Sequence, residues 1–147
     1  MSATRVEFHF NVPDRVAYAC RLLRKASRQQ LAVGVWADDA VLRALSPQLW
    51  TLSPQDFLPH CLLPAGEAMQ ALSPIWLSTD LDRLQGRPVL LNLSDQWVAD
   101  AARWPRLVEL VPADDDGARQ AARQSWRRYA GEGHTVVPHD VAATPTG

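Results

Sequence analysis

Apolar and polar residues alternate at the start of the chain. Val6, Phe8 and Phe10 interleave with Glu7 and His9, so residues 5–12 read as a strand. Pro13 and Asp14 supply a turn and a helix N-cap. Val16, Ala19, Cys20, Leu23 and Ala26 follow at helical spacing, with Arg15, Arg21, Arg24, Lys25 and Arg28 filling the other face. Residues 31–37 (LAVGVWA) form an unbroken apolar run, the pattern of a strand buried on both faces. Asp38 and Asp39 cap a second helix through Val41, Leu42 and Leu45. Pro47 is expected to disturb it, and Leu49 and Trp50 close the unit.

Residues 52–66 read as a loop, with Pro54, Pro59, Pro64 and Gly66, yet they carry Phe57, Leu58, Leu62 and Leu63. Residues 75–77 are a short strand, and 86–88 a turn. Residues 89–93 (VLLNL) are another buried strand. Residues 96–104 are expected to be helical, ended by Pro105, with Asp95 as their cap. Residues 107–111 (LVELV) are a further strand. Asp114, Asp115 and Asp116 cap the next helix, which Gly131 ends, and 135–137 form one more extended piece. Strands alternating with helices imply βαβ units joined by right-handed crossovers. The expected fold is α/β: a three-layer Rossmann-like domain over residues 1–141 with a mostly parallel central sheet. Residues 142–147 read as a disordered tail.

Composition narrows the function classes. The chain has 147 residues, 47% of them hydrophobic, and a formal net charge of −1. A sequence pI of about 6.4 argues against wholesale nucleic-acid binding, which calls for a basic domain. Cys20 and Cys61 are the only cysteines and read as reduced thiols, Cys20 on the apolar face of its helix. The N-terminal residues lack the apolar core of a secretory leader, and no run approaches the length of a membrane span, so a cytoplasmic protein is expected.

One charge feature stands out. Arg119, Arg123, Arg127 and Arg128 lie between Gly117 and Gly131 with no acidic residue among them. The first three are four residues apart and stack on one helical face. Surface helices ordinarily intersperse Glu with Arg, so this face suits a short anionic partner such as an acidic peptide. Guanidinium groups hold carboxylates by bidentate, charge-assisted hydrogen bonds. Trp126 is read two ways, as core or as the wall of a pocket beside Val111 and Pro112; Tyr129 is read as core. The run Phe57-Leu58-Pro59-His60 either folds back on the core or forms an exposed apolar patch.

Other chemistry lacks a signal. The turn after the first strand, Asn11-Val12-Pro13-Asp14, has no glycine for a pyrophosphate, and no Walker motif occurs. His9, His60, His134 and His139 match no metal-ligand spacing. Ser94-Asp95 follows a strand but lacks the G-x-S-x-G elbow. An enzyme or small-molecule site at strand ends near Asp38, Ser94 and Asp95 is the alternative function class. Direct binding of single-stranded DNA has only one aromatic platform and a near-neutral chain to support it.

Three stretches together resemble a known family. They are Phe57-Leu58-Pro59-His60; residues 88–93 (PVLLNL) with Leu110-Val111-Pro112; and residues 122–129 (ARQSWRRY) with Gly131. Their order and spacing, with Phe8-x-Phe10 in the first strand, resemble the chi subunit of bacterial DNA polymerase III, a clamp-loader accessory protein. The resemblance implies a Rossmann-like fold without catalytic or nucleotide-binding residues and without cofactor or metal. It implies a replication adaptor that binds the acidic, phenylalanine-ending C-terminal tail of single-stranded DNA-binding protein. Carried over, the tail site is Arg123, as clamp for the terminal carboxylate, with Arg119, Arg127, Trp126, Val111 and Pro112. The resemblance also implies a psi-subunit interface at Phe57, Leu58, Pro59 and His60, and hence a monomer paired with a different subunit.

Overall fold

The computed structural model describes residues 4–51 and 58–142. Phe57 and residues 143–147 lie outside the described residues. Seven strands are present among those described: β1 (Arg5–Val12), β2 (Val33–Trp36), β3 (His60–Leu62), β4 (Ile75–Ser78), β5 (Val89–Asn92), β6 (Arg106–Pro112) and β7 (Thr135–Asp140). They form one sheet in the order β3-β4-β2-β5-β6-β1-β7, and every pairing is parallel. The helices are α1 (Arg15–Arg28), α2 (Asp39–Thr51), α3 (Glu67–Leu72) and α4 (Asp116–Gly131).

Alternation along the strands builds two cores. Val33, Val35, Leu91, Val108 and Leu110 face α1 and α2, which contribute Ala19, Cys20, Leu23, Leu42, Leu45 and Leu49. Val6, Phe8, Leu90, Leu107 and Val111 face the opposite way, against α4 and short 3₁₀ turns bearing Leu84, Ala101 and Trp104. The expected three layers and the parallel sheet are both present, and the sheet is wholly rather than mostly parallel.

Four local expectations change. Pro47 does not break α2, which runs unbroken across it. Leu42, Leu45 and Leu49 are at most 1% exposed on the sheet, and this packing outweighs the backbone hydrogen bond that proline forfeits. The loop expected over 52–66 contains β3, followed by the unforeseen α3. The helix expected over 96–104 is absent apart from a 3₁₀ turn at Ala101–Arg103. Its backbone groups bond to side chains instead: Asn92 Nδ2, four residues away, donates to Gln96 O at 2.7 Å, and Val98 N donates to the distant Tyr129 Oη at 2.7 Å. Asp95 therefore caps nothing and lies 3.5 Å from Arg15. The last extended piece is longer than expected, running through Pro138 to Asp140.

Parallel topology has an electrostatic by-product. Each strand hands the chain to a helix or turn at the same edge of the sheet, and aspartate is a favoured N-cap. Asp14 accepts from Ala17 N, Asp38 from Val41 N, Asp80 from Asp82 N and Asp115 from Ala118 N, at 2.9–3.1 Å. The C-terminal edge of the sheet is therefore an acidic rim.

Candidate functional site

α4 runs antiparallel to the strands, away from that rim. Its face toward β1 carries Arg119, Ala122, Arg123, Trp126 and Arg127. With Phe8, Phe10 and Asn11 of β1 and Val111 of β6 they line an open pocket of about 440 Å³. The floor is apolar and the rim cationic. Trp126 is half-buried with its ring 5.2 Å from Phe8, so it packs on the core and walls the pocket at once.

The arginines are not equivalent. Arg119 Nη2 pairs with Asp116 Oδ1 at 2.5 Å, and Arg119 holds the Asp116 carboxyl below its ordinary range. The face therefore does have one counter-charge, placed just N-terminal of the acid-free segment. Among the described residues, Arg123 and Arg127 have no carboxylate within ion-pair distance. Arg128 points to the other side of the helix, its guanidinium 4.8 Å from the Trp97 ring.

Five of the six tail-site residues singled out in the sequence thus converge. Pro112 is the exception, since it ends β6 without lining the pocket. Sequence reasoning missed Phe8, Phe10, Asn11 and Ala122. The alternation in β1 marked both phenylalanines as one-faced, but not which helix they would meet. Asn11 has φ = 63° beside a bulge between His9 and Val12, and its amide donates to Asp140 Oδ1 at 2.9 Å. Tyr129 is core, fully buried, with its hydroxyl donating to Glu109 Oε2 at 2.8 Å.

The second surface is rearranged relative to expectation. Leu58 and His60 are each 4% exposed and Pro59 is half-buried, so this part of the run folds back on the core. His60 Nδ1 donates to Leu58 O and Nε2 accepts from Ser46 Oγ, both at 2.9 Å; burial pushes its pKa below the ordinary value. The exposed apolar groups at this end are others: Trp50, Leu62, Met69 and Leu72, with Trp50 4.7 Å from His60.

At the strand ends, Asp38 caps α2, and Ser94 Oγ donates to Asn92 Oδ1 at 2.6 Å. Ser94 and Asp95 border a cavity of about 280 Å³ with Glu109, Asp115 and Arg15, which Asp38 does not reach. No histidine lines it to activate the serine. Burial pushes the Cys20 thiol up to about 11, as for an inert core cysteine. No cluster of three metal-ligating side chains exists among the described residues. No helix among them is long and apolar enough to cross a membrane.

Comparison with known proteins adds identity to this geometry. The fold resembles the solved C-terminal domain of the DEAD-box protein Dbp5, with a TM-score of 0.59 at 10% identity, covering 92% of this chain and 90% of that one. That likeness concerns the fold alone. DNA polymerase III subunit chi of Pseudomonas aeruginosa is 33% identical over 142 residues, 92% of this chain and 96% of that protein. DNA polymerase III subunit chi of Haemophilus influenzae is 26% identical over 133 residues, covering 83% and 90%. The family model described as DNA polymerase III chi subunit, HolC, matches residues 3–137, which takes in the whole sheet except the last residues of β7. The chain therefore belongs to the DNA polymerase III chi subunit family, replication accessory proteins.

Proposed function

We propose that this protein is a non-catalytic adaptor whose α4 pocket captures the acidic, phenylalanine-ending tail of single-stranded DNA-binding protein. The observation that carries the reading is the pairing of an apolar floor (Phe8, Phe10, Val111, Trp126) with two rim arginines, Arg123 and Arg127, that have no ion pair among the described residues. A terminal phenylalanine fills the floor while its α-carboxylate meets Arg123, a bidentate partner. Arg119 and Arg127 flank that contact.

The test is fluorescence anisotropy of a labelled acidic peptide ending in phenylalanine. Wild type is expected to bind, and more weakly as salt rises, because the arginine contacts are screened. Arg123→Ala should lose about 2 kcal/mol, roughly thirtyfold, with an unchanged circular dichroism spectrum. Salt-independent affinity would remove the electrostatic half of the reading. An Arg123→Ala variant that binds like wild type would remove its clamp.

A psi-like clamp-loader subunit is the second partner in this proposal. Burial of Leu58 and His60 shifts its contact area to the exposed apolar groups beside them, Trp50, Leu62, Met69 and Leu72, at the β3 edge.

A further inference from the structure

We propose that the bound acidic tail lies antiparallel to α4, its terminal residue at Arg123 and its upstream carboxylates running past Arg127 toward the C-terminal end of the helix. This rests on the adaptor reading above and adds a chain direction to it.

The two ends of the pocket differ in charge. At the N-terminal end of α4 stand Asp114, Asp115 and Asp116, part of the acidic rim, and Asp140 is held nearby by Asn11. The one pocket arginine at that end, Arg119, is already paired with Asp116. An acidic chain leaving Arg123 in that direction meets four carboxylates and, among the described residues, no uncommitted cation. In the other direction it meets Arg127, one helical turn or about 6 Å further on. An extended peptide rises about 3.3 Å per residue, so a carboxylate two residues upstream of the terminus reaches Arg127. Beyond it, Glu132 is the single acid at the helix end.

The helix dipole pulls the opposite way, favouring anions at the N-terminus. That attraction is already spent on the helix's own aspartates: Asp115 accepts from Ala118 N, and Asp116 occupies the first turn. Arg127 is therefore the reader of the acidic stretch, and the aspartates act as a fence that rejects the reversed pose.

Two probes separate this from the parent reading: a short peptide with three upstream aspartates and a C-terminal phenylalanine, and its counterpart with asparagines. Arg127→Ala should weaken the aspartate peptide about tenfold and the asparagine peptide less than about twofold. Arg119→Ala should change either by less than about threefold. With a nitroxide on the N-terminus of the aspartate peptide, amide resonances of residues 132–134 should broaden more than those of 114–116. Binding with the stronger broadening at 114–116, or a larger aspartate-specific loss in Arg119→Ala than in Arg127→Ala, overturns the direction and leaves the adaptor standing. Failure of wild type to bind either peptide overturns both.

Discussion

Trp104→Ala is expected to lower the unfolding free energy by about 4 kcal/mol, a large share of the roughly 5–15 kcal/mol margin of an ordinary domain. Trp104 is fully buried between the sheet and the 3₁₀ turns on the α4 face, with Val6, Leu90 and Leu107 in the same cluster. Its indole Nε1 donates to Leu84 O at 3.0 Å, so truncation opens a cavity and also orphans a buried carbonyl. Its own carbonyl accepts from Thr4 Oγ at 2.7 Å, tying the start of β1 to the same spot. Denaturant unfolding followed by circular dichroism reads the change directly. A loss under about 1 kcal/mol would mean that the neighbours close the gap, and that this face is more plastic than its packing indicates.

The second large effect is a fall in stability as pH rises from about 4.5 to about 7. Glu109 sits on β6 with its side chain buried, and that burial pushes its carboxyl up to about 7 against the opposing pull of Asn92 and Tyr129. Asn92 Nδ2 lies 3.2 and 3.0 Å from its two oxygens, and the Tyr129 hydroxyl donates to one of them. An unfolded glutamate titrates near 4.3. Between the two values the native state keeps a proton that the unfolded state has released. Its contribution is therefore whole below the unfolded pKa and lost as pH climbs through the folded one, on the order of 3 kcal/mol. Glu7 acts in the opposite window. His9 Nε2 at 3.7 Å and the two-pronged Arg106 contact at 2.8 and 2.9 Å hold its carboxyl at about 2. Its contribution is present above the unfolded pKa and lost as pH falls toward 2. Glu109→Gln should flatten the alkaline limb and leave the acid limb alone. Urea midpoints measured from pH 3 to 8 decide it; a slope near neutrality that survives in the glutamine variant would mean that another group titrates.

The legible parts of the chain were those whose signals are local. Alternation in β1, the apolar runs of β2, β5 and β6, and the aspartate caps of α1, α2 and α4 all act within a few residues, and each fell where expected. The failures depend on distance. Residues 96–104 read as helical, but Val98 N bonds to the hydroxyl of Tyr129, far along the chain, and no local pattern encodes that. Pro47 is a helix breaker by itself, yet three buried leucines around it hold α2 together. At the candidate site the arginine face was legible because helical periodicity is regular. Its counter-charge was missed because Asp116 lies one residue before the acid-free segment. The pocket floor was missed because only the sheet order brings β1 beneath α4.

That order also sets when the pocket can exist. β1 precedes the other described strands in the chain, yet its neighbours are β6 and β7, which follow all the rest. The inner strands β2, β4 and β5 pair with one another and can assemble while β1 waits unpaired. Such long-range parallel pairing is slow to form. Phe8 and Phe10 meet Trp126 and Arg123 only after α4 has emerged. A chain that stops short of α4 thus holds six of the seven described strands and lacks the helix that walls the pocket. The pocket is thus a late product of folding: strands far apart in the chain must pair before the helix that walls it has a floor to pack on.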